Sequence, residues 1–176
     1  QSHRHWIELL FAVIVERDAA ARWWRGDTLP DAIDPAAIEG LNLAGLRAGA
    51  ELPRATTLFA LPAAAGTPVV CAMSRGADGR GLAFGLKAAL TLADAARGAV
   101  IELLQMEIGL HMAVHRSARG VPTPGDTSAL ARAALDADAP AFAARPCRPG
   151  PPPPPGLAGL VDSLGASGCR VLAVDL

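Results

Sequence analysis

The sequence predicts an α/β fold of the α+β kind, with helices packed on a mixed sheet. Long apolar stretches of helical length alternate with short β-branched runs, which excludes a plain helix bundle. Glycine and proline fall between these stretches as punctuation. A chain of 176 residues is also long enough to bury a real core as one domain.

The first helix spans residues 6–24. Its apolar residues occupy almost every position from 9 to 15, which predicts burial on most sides, and Gly26 can end it. Residues 27–55 are mixed, with Pro30, Pro35 and Pro53 as breaks; Asp34-Pro35 suits a helix N-cap followed by its first position. TTLFAL (56–61) and VVCAM (69–73) read as strands. The turn dipeptide Asp78-Gly79 then leads into LAFGLK, which predicts antiparallel pairing with VVCAM. The longest helix runs over 88–116 and stops at Gly120 and Pro122. A short helix over 127–135 is capped by Thr127 or Ser128. Residues 146–156, with five consecutive prolines, form an extended surface spacer within the domain. A turn of amphipathic helix over 159–168 and a last strand, VLAVDL (171–176), complete the order.

Composition removes several classes of function. Hydrophobic residues make up 51%, yet no uncharged run approaches the ~20 residues of a membrane span, and no signal peptide is visible. A net charge of −1 gives no electrostatic footprint for nucleic acid. The three cysteines, Cys71, Cys147 and Cys169, are too widely spaced for a disulfide framework or a zinc ribbon. These traits suit a cytoplasmic protein with reduced thiols. The abundance of alanine reads as compositional bias.

Three constellations carry candidate chemistry. Glu16, Arg17 and Asp18 close the first helix, beside Trp23 and Trp24. They are either the polar exit of a core helix or carboxylates for a divalent cation with an arginine for phosphate. Glu102 and Gln105 share a face of the long helix and read either as a helix-to-helix hydrogen bond or as a nucleotide or metal contact. Glu107, His111 and His115 are spaced four apart, which can support a metal, although charge pairing and the helix dipole explain the same pattern. SRGADGRG lacks the Lys-Ser/Thr of a P-loop, and Cys71 inside an apolar strand reads as a core residue.

The order of four segments resembles the YcaO family: VERDAAARWW (15–24), TPVVCAMS (67–74), GRGLAFGLKAALTLADAARGAVIELLQME (79–107) and VLAVDL (171–176). The resemblance implies a single partial domain over 1–176 with a YcaO-type core, truncated at both ends. The family's preceding Ser-x-x-x-Glu helix then lies before Gln1 and its C-terminal arginine beyond Leu176. It implies an ATP-dependent cyclodehydratase of ribosomally made peptides. In that chemistry a Cys, Ser or Thr side chain attacks the preceding amide, and the resulting oxygen takes the γ-phosphoryl group before an azoline (thiazole or oxazole precursor) forms. The implied cofactors are ATP and Mg2+. The implied site residues are Arg17, Glu102 and Gln105 for the nucleotide and Glu16 for the metal, with no catalytic residue assigned. The implied partners are a precursor peptide, a leader-binding partner protein and a second copy of the chain, with no nucleic acid and no membrane. Two positions depart from the family pattern: Leu9 and Val13 stand where a Gln and a Glu are expected, which predicts weak or absent ATP turnover. A non-catalytic scaffold and a thioamide-forming homologue are the alternatives, and a metal protein built on His111 and His115 is a third.

Overall fold

The computed structural model describes residues 2–47, 53–133, 145–146, 156–166 and 168. The elements are α1 (Ser2–Trp24), β1 (Asp31–Ile33), α2 (Leu43–Leu46), β2 (Arg54–Leu61), β3 (Val69–Gly76), β4 (Ala83–Ala88), α3 (Leu92–Ala118), α4 (Pro124–Ala133), β5 (Arg145–Pro146) and α5 (Gly156–Ala166). The sheet runs β4-β3-β2-β1-β5. β1 to β4 are antiparallel neighbours, and β5 adds a two-residue parallel pair beside β1, so the sheet is mixed, as expected.

The continuous apolar run of β3 follows from cover on both sides. Residues 69–74 are all buried, as expected for a strand with no solvent face. Val69, Cys71 and Met73 pack with Val15, Ala19 and Trp23 of α1. Val70 and Ala72 pack with Ala95, Ala96, Ala99, Val100 and Leu103 of α3. The two long helices therefore lie on opposite faces of one sheet. Alanine along α3 has a structural reason beyond composition. A Cβ on Gly85 would lie 2.1 Å from the Ala99 carbonyl oxygen and 2.3 Å from the Leu103 nitrogen. Backbone meets backbone at that crossing, and only small side chains allow it.

Several local expectations shift. α1 begins at Ser2 and is not buried all round: Val13 is 50% and Ile14 66% exposed. Asp34 does cap, with its carboxylate accepting from the Ala36 N–H, but the result is one 3-10 turn over Pro35–Ala37. α3 starts at Leu92, capped by the Thr91 hydroxyl accepting from the Asp94 N–H. α4 starts at Pro124, ahead of Thr127 and Ser128, because Asp126 reaches back to the Thr123 N–H at 2.7 Å in the manner of a capping box. β1 has no counterpart in the sequence reading. The strand read over 171–176, Cys147, Cys169, and the 146–156 segment apart from Pro146 and Gly156 lie outside the described residues. No helix among the described residues is long and apolar enough to cross a membrane.

Burial pushes the Cys71 thiol up to about 12. Cys71 is therefore expected to stay unlabelled by maleimide in the native protein and to label only on unfolding, as peptide mapping will read.

Candidate nucleotide and metal site

The site grows from an edge strand. β4 ends the sheet, and its register with β3 leaves the N–H groups of Phe84, Leu86 and Ala88 pointing outward. Unpaired edge groups invite further strand pairing, and proteins commonly cover them. Here side chains from both helices do so. The Phe84 N–H meets Met106 Sδ at 3.2 Å, the Leu86 N–H donates to Glu102 Oε2 at 3.2 Å, and the Ala88 N–H donates to Glu16 Oε2 at 3.1 Å. Glu102 comes from α3 and Glu16 from α1, so two carboxylates straddle the edge of the sheet from opposite faces.

A cleft of about 780 Å³ opens alongside this edge. Glu16, Arg17, Glu102 and Gln105 all line it, together with Phe84, Gly85, Leu86 and Met106. Further along α3 it is bounded by Leu82, Gly109, Leu110 and Arg116, and by Thr123, Gly125, Asp126 and Ala129 at the start of α4. The structure thus brings the four sequence-derived site residues to one cavity.

The charged end of α1 resolves residue by residue. Glu16 is buried at 8% exposure, and Arg17 is exposed on the cleft with no hydrogen bond or ion pair among the described residues. Asp18 turns to solvent and pairs with Arg22 at 2.9 Å. Burial, reinforced by the charge of Glu102, holds the Glu16 carboxyl above its ordinary range, against the Ala88 N–H, Lys87 and Arg17. Val13, four residues before Arg17, shares its face and is the exposed apolar residue noted above. Glu102 bonds to a strand N–H, not to another helix.

At the α4 end, the Arg116 guanidinium forks onto Asp126, with Nε to Oδ2 at 2.9 Å. Asp126 is buried, and its bonds to Arg116 and Thr123 hold its carboxyl far below the usual carboxylate range. Sequence reasoning missed this pair, although Thr123-x-x-Asp126 is a visible capping signal.

Glu107 belongs elsewhere. Arg47 holds it with two bonds, at 3.1 and 2.6 Å, Arg54 Nε lies 3.3 Å away, and the Ser74 hydroxyl donates to the same carboxylate. Its oxygens are taken, and His111 and His115 are exposed. Among the described residues no group of three or more His, Cys, Asp or Glu side chains gathers to hold a metal. Of the two readings of Glu107, His111 and His115, the described residues favour charge pairing over a metal, with the partners being Arg47 and Arg54 and not the histidines.

Comparison with known proteins agrees with this architecture. No curated protein matches the sequence. A solved structure titled "Heterocyclase in complex with substrate and Cofactor" superposes with a TM-score of 0.65 at 23% identity, covering 90% of this chain and 22% of that one. The chain therefore spans about a fifth of that structure's length. The sequence matches the profile of the YcaO cyclodehydratases, described as ATP- and Mg2+-binding, over residues 12–176. With nearly its whole length matched, this chain belongs to the YcaO family.

Proposed function

We propose that the cleft beside β4 holds ATP with Mg2+ and that the chain serves ATP-dependent activation of a backbone amide in a ribosomally made precursor peptide, as in azoline formation. The single observation that carries this reading is the convergence of Glu16, Arg17, Glu102 and Gln105 on one cleft from two helices on opposite faces of the sheet. The family description as ATP- and Mg2+-binding supports it.

The residues present fit the group. Mg2+ is characteristically held by one or two carboxylates plus substrate phosphates and water. The charge of Glu102 adds to the cost of ionised Glu16, and each carboxylate uses one oxygen on a strand N–H, leaving the other for a cation. The guanidinium of Arg17, without a hydrogen bond or ion pair among the described residues, suits a phosphate, whose geometry it matches bidentately. The amide of Gln105 can both donate and accept. When bound, ATP supplies the phosphoryl group that turns the amide oxygen into a leaving group. The chain's own work is to fix the cation between two carboxylates, to set Arg17 against the phosphate charge, and to exclude water from the β4 edge. Thioamide formation uses the same amide activation and is the second product class of this reading.

One observation favours a second reading, a non-catalytic scaffold that binds a leader peptide or partner subunit. Val13 places an exposed apolar surface on the face of α1 that carries Arg17. Calorimetry with Mg2+–ATP tests the first reading: the wild-type chain is expected to bind, and Glu16→Ala and Arg17→Ala each to weaken binding roughly tenfold or more. No heat at millimolar ATP, or unchanged affinity in both variants, overturns it. Binding without phosphate release in the presence of precursor peptide selects the scaffold.

A further inference from the structure

Gly109 sits in the interior of the 27-residue helix α3, where glycine is among the least favourable residues. Packing within the described structure does not require it, since a Cβ built there meets nothing within 4 Å. Two other glycines show what a packing requirement looks like. A Cβ on Gly85 would strike the α3 backbone, and one on Gly98 would lie 2.6 Å from Lys87 Cγ. Gly109 instead faces open space, and that space is the cleft. α3 thus shows bare backbone to the cavity at one point, which is what close approach of a ligand asks for.

The surroundings give the ligand a direction. Glu102 to Gly109 is seven residues, or about 10 Å of helix rise. Over that distance the lining changes from Glu16, Arg17 and Glu102 to the apolar side chains of Phe84, Met106, Leu82 and Leu110, and the charged groups beyond them, Arg116 and Asp126, are bonded to each other. A nucleoside triphosphate has the same polarity, anionic with its cation at one end and a flat, weakly polar base at the other. Resting on the nucleotide reading above, we infer that the nucleoside lies against Gly109, with the phosphates directed to Arg17 and the two carboxylates. Gly109 is then the position that admits the base, and Leu82 and Leu110 flank it.

The test separates the two ends of the ligand. Gly109→Leu starts from a Cβ that meets nothing within 4 Å and improves helix propensity, so its Tm is expected at or above wild type. Calorimetry is run in Mg2+ with two probes, ATP and inorganic tripolyphosphate, which lacks the nucleoside. The expected result is an ATP affinity about tenfold or more weaker in Gly109→Leu, with tripolyphosphate affinity within about twofold of wild type. Gly109→Ala is expected to fall between. Unchanged ATP affinity in Gly109→Leu overturns the inference alone, because the nucleoside then lies elsewhere. Equal loss of both probes also overturns it, because the phosphates then lie at Gly109. A wild-type chain that binds neither probe overturns the nucleotide reading and this inference with it.

Discussion

Glu107→Ala is expected to destabilise the chain by about 3 kcal/mol, near the lower end of the ~3–5 kcal/mol seen when one partner of a buried ion pair is removed. The reason is the arithmetic of charge at this point. Two guanidiniums converge on one carboxylate, and the side chains of Arg47, Arg54 and Glu107 are only 15%, 9% and 11% exposed. Burial already lowers the Arg54 pKa, and Glu107 is the main influence opposing that shift. Removing the carboxylate leaves two cations side by side; among the described residues Arg54 keeps the Ser74 hydroxyl and the carbonyls of Ser74 and Gly81 as acceptors, while Arg47 loses both of its side-chain bonds. For a chain of this size, about 3 kcal/mol corresponds to a fall in Tm of roughly 6–12 °C. Glu107→Gln keeps an acceptor but not the charge and is expected to lie between. Thermal unfolding at low and high salt checks the account. A Tm change within ~2 °C would place the cluster with ordinary exposed ion pairs, worth ~0–1 kcal/mol.

What the sequence revealed depended on whether the deciding contact was local. β2, β3 and β4 were legible because their β-branched and apolar residues stand between strong turn signals, and α3 because its apolar positions run through seven turns. β1 was not. The four residues between Pro30 and Pro35 carry no strand signal of their own, and β1 exists only because Asp31, Ala32 and Ile33 pair with Ala60, Phe59 and Leu58, 25 to 29 positions away. The alanines at 95, 96 and 99 looked like composition until Gly85 showed that α3 presses its backbone on β4. The start of α4 was misplaced because a proline and a glycine mask a cap whose evidence is the side chain of Asp126.

The site divides along the same line. From spacing, Glu16, Arg17 and Asp18 read first as a helix exit and only second as a ligand set, and the resemblance to a family brought the ligand set forward. Their fates depend on position relative to the edge of the sheet. Glu16 turns in to the Ala88 N–H, Arg17 faces the cleft and Asp18 turns out to Arg22. Glu107 shows the opposite case. Its spacing with two histidines was real, but the arginines that neutralise it lie 53 and 60 positions away in sequence. Gly109, Arg116 and Asp126 carried no signal that could be read as a cleft before α3, α4 and the β4 edge were brought together.

Glu16→Gln is expected to leave the metal-free chain as stable as wild type or more so at neutral pH, while lowering Mg2+–ATP affinity by about a hundredfold, or about 2.7 kcal/mol. The glutamine oxygen can still accept from the Ala88 N–H, so the strand edge stays covered. What disappears is a charge that burial and Glu102 both oppose. The folded carboxyl binds its proton more tightly than its ordinary value of 4.5 implies. Its contribution to stability is therefore full below that value and is lost as the pH rises through the higher folded value. Above it, ionised Glu16 is held in the fold against its preference, and on the proposed reading a cation between Glu16 and Glu102 would relieve the strain. Thermal scans from pH 4 to 8 should show the advantage of Glu16→Gln growing with pH in chelator, and Mg2+–ATP should raise the Tm of wild type only, by mass action. A glutamine variant less stable than wild type at pH 7 without metal would mean that the Glu16 charge is satisfied inside the fold. The carboxylate would then serve the sheet edge alone, and the place for the cation beside β4 would be lost.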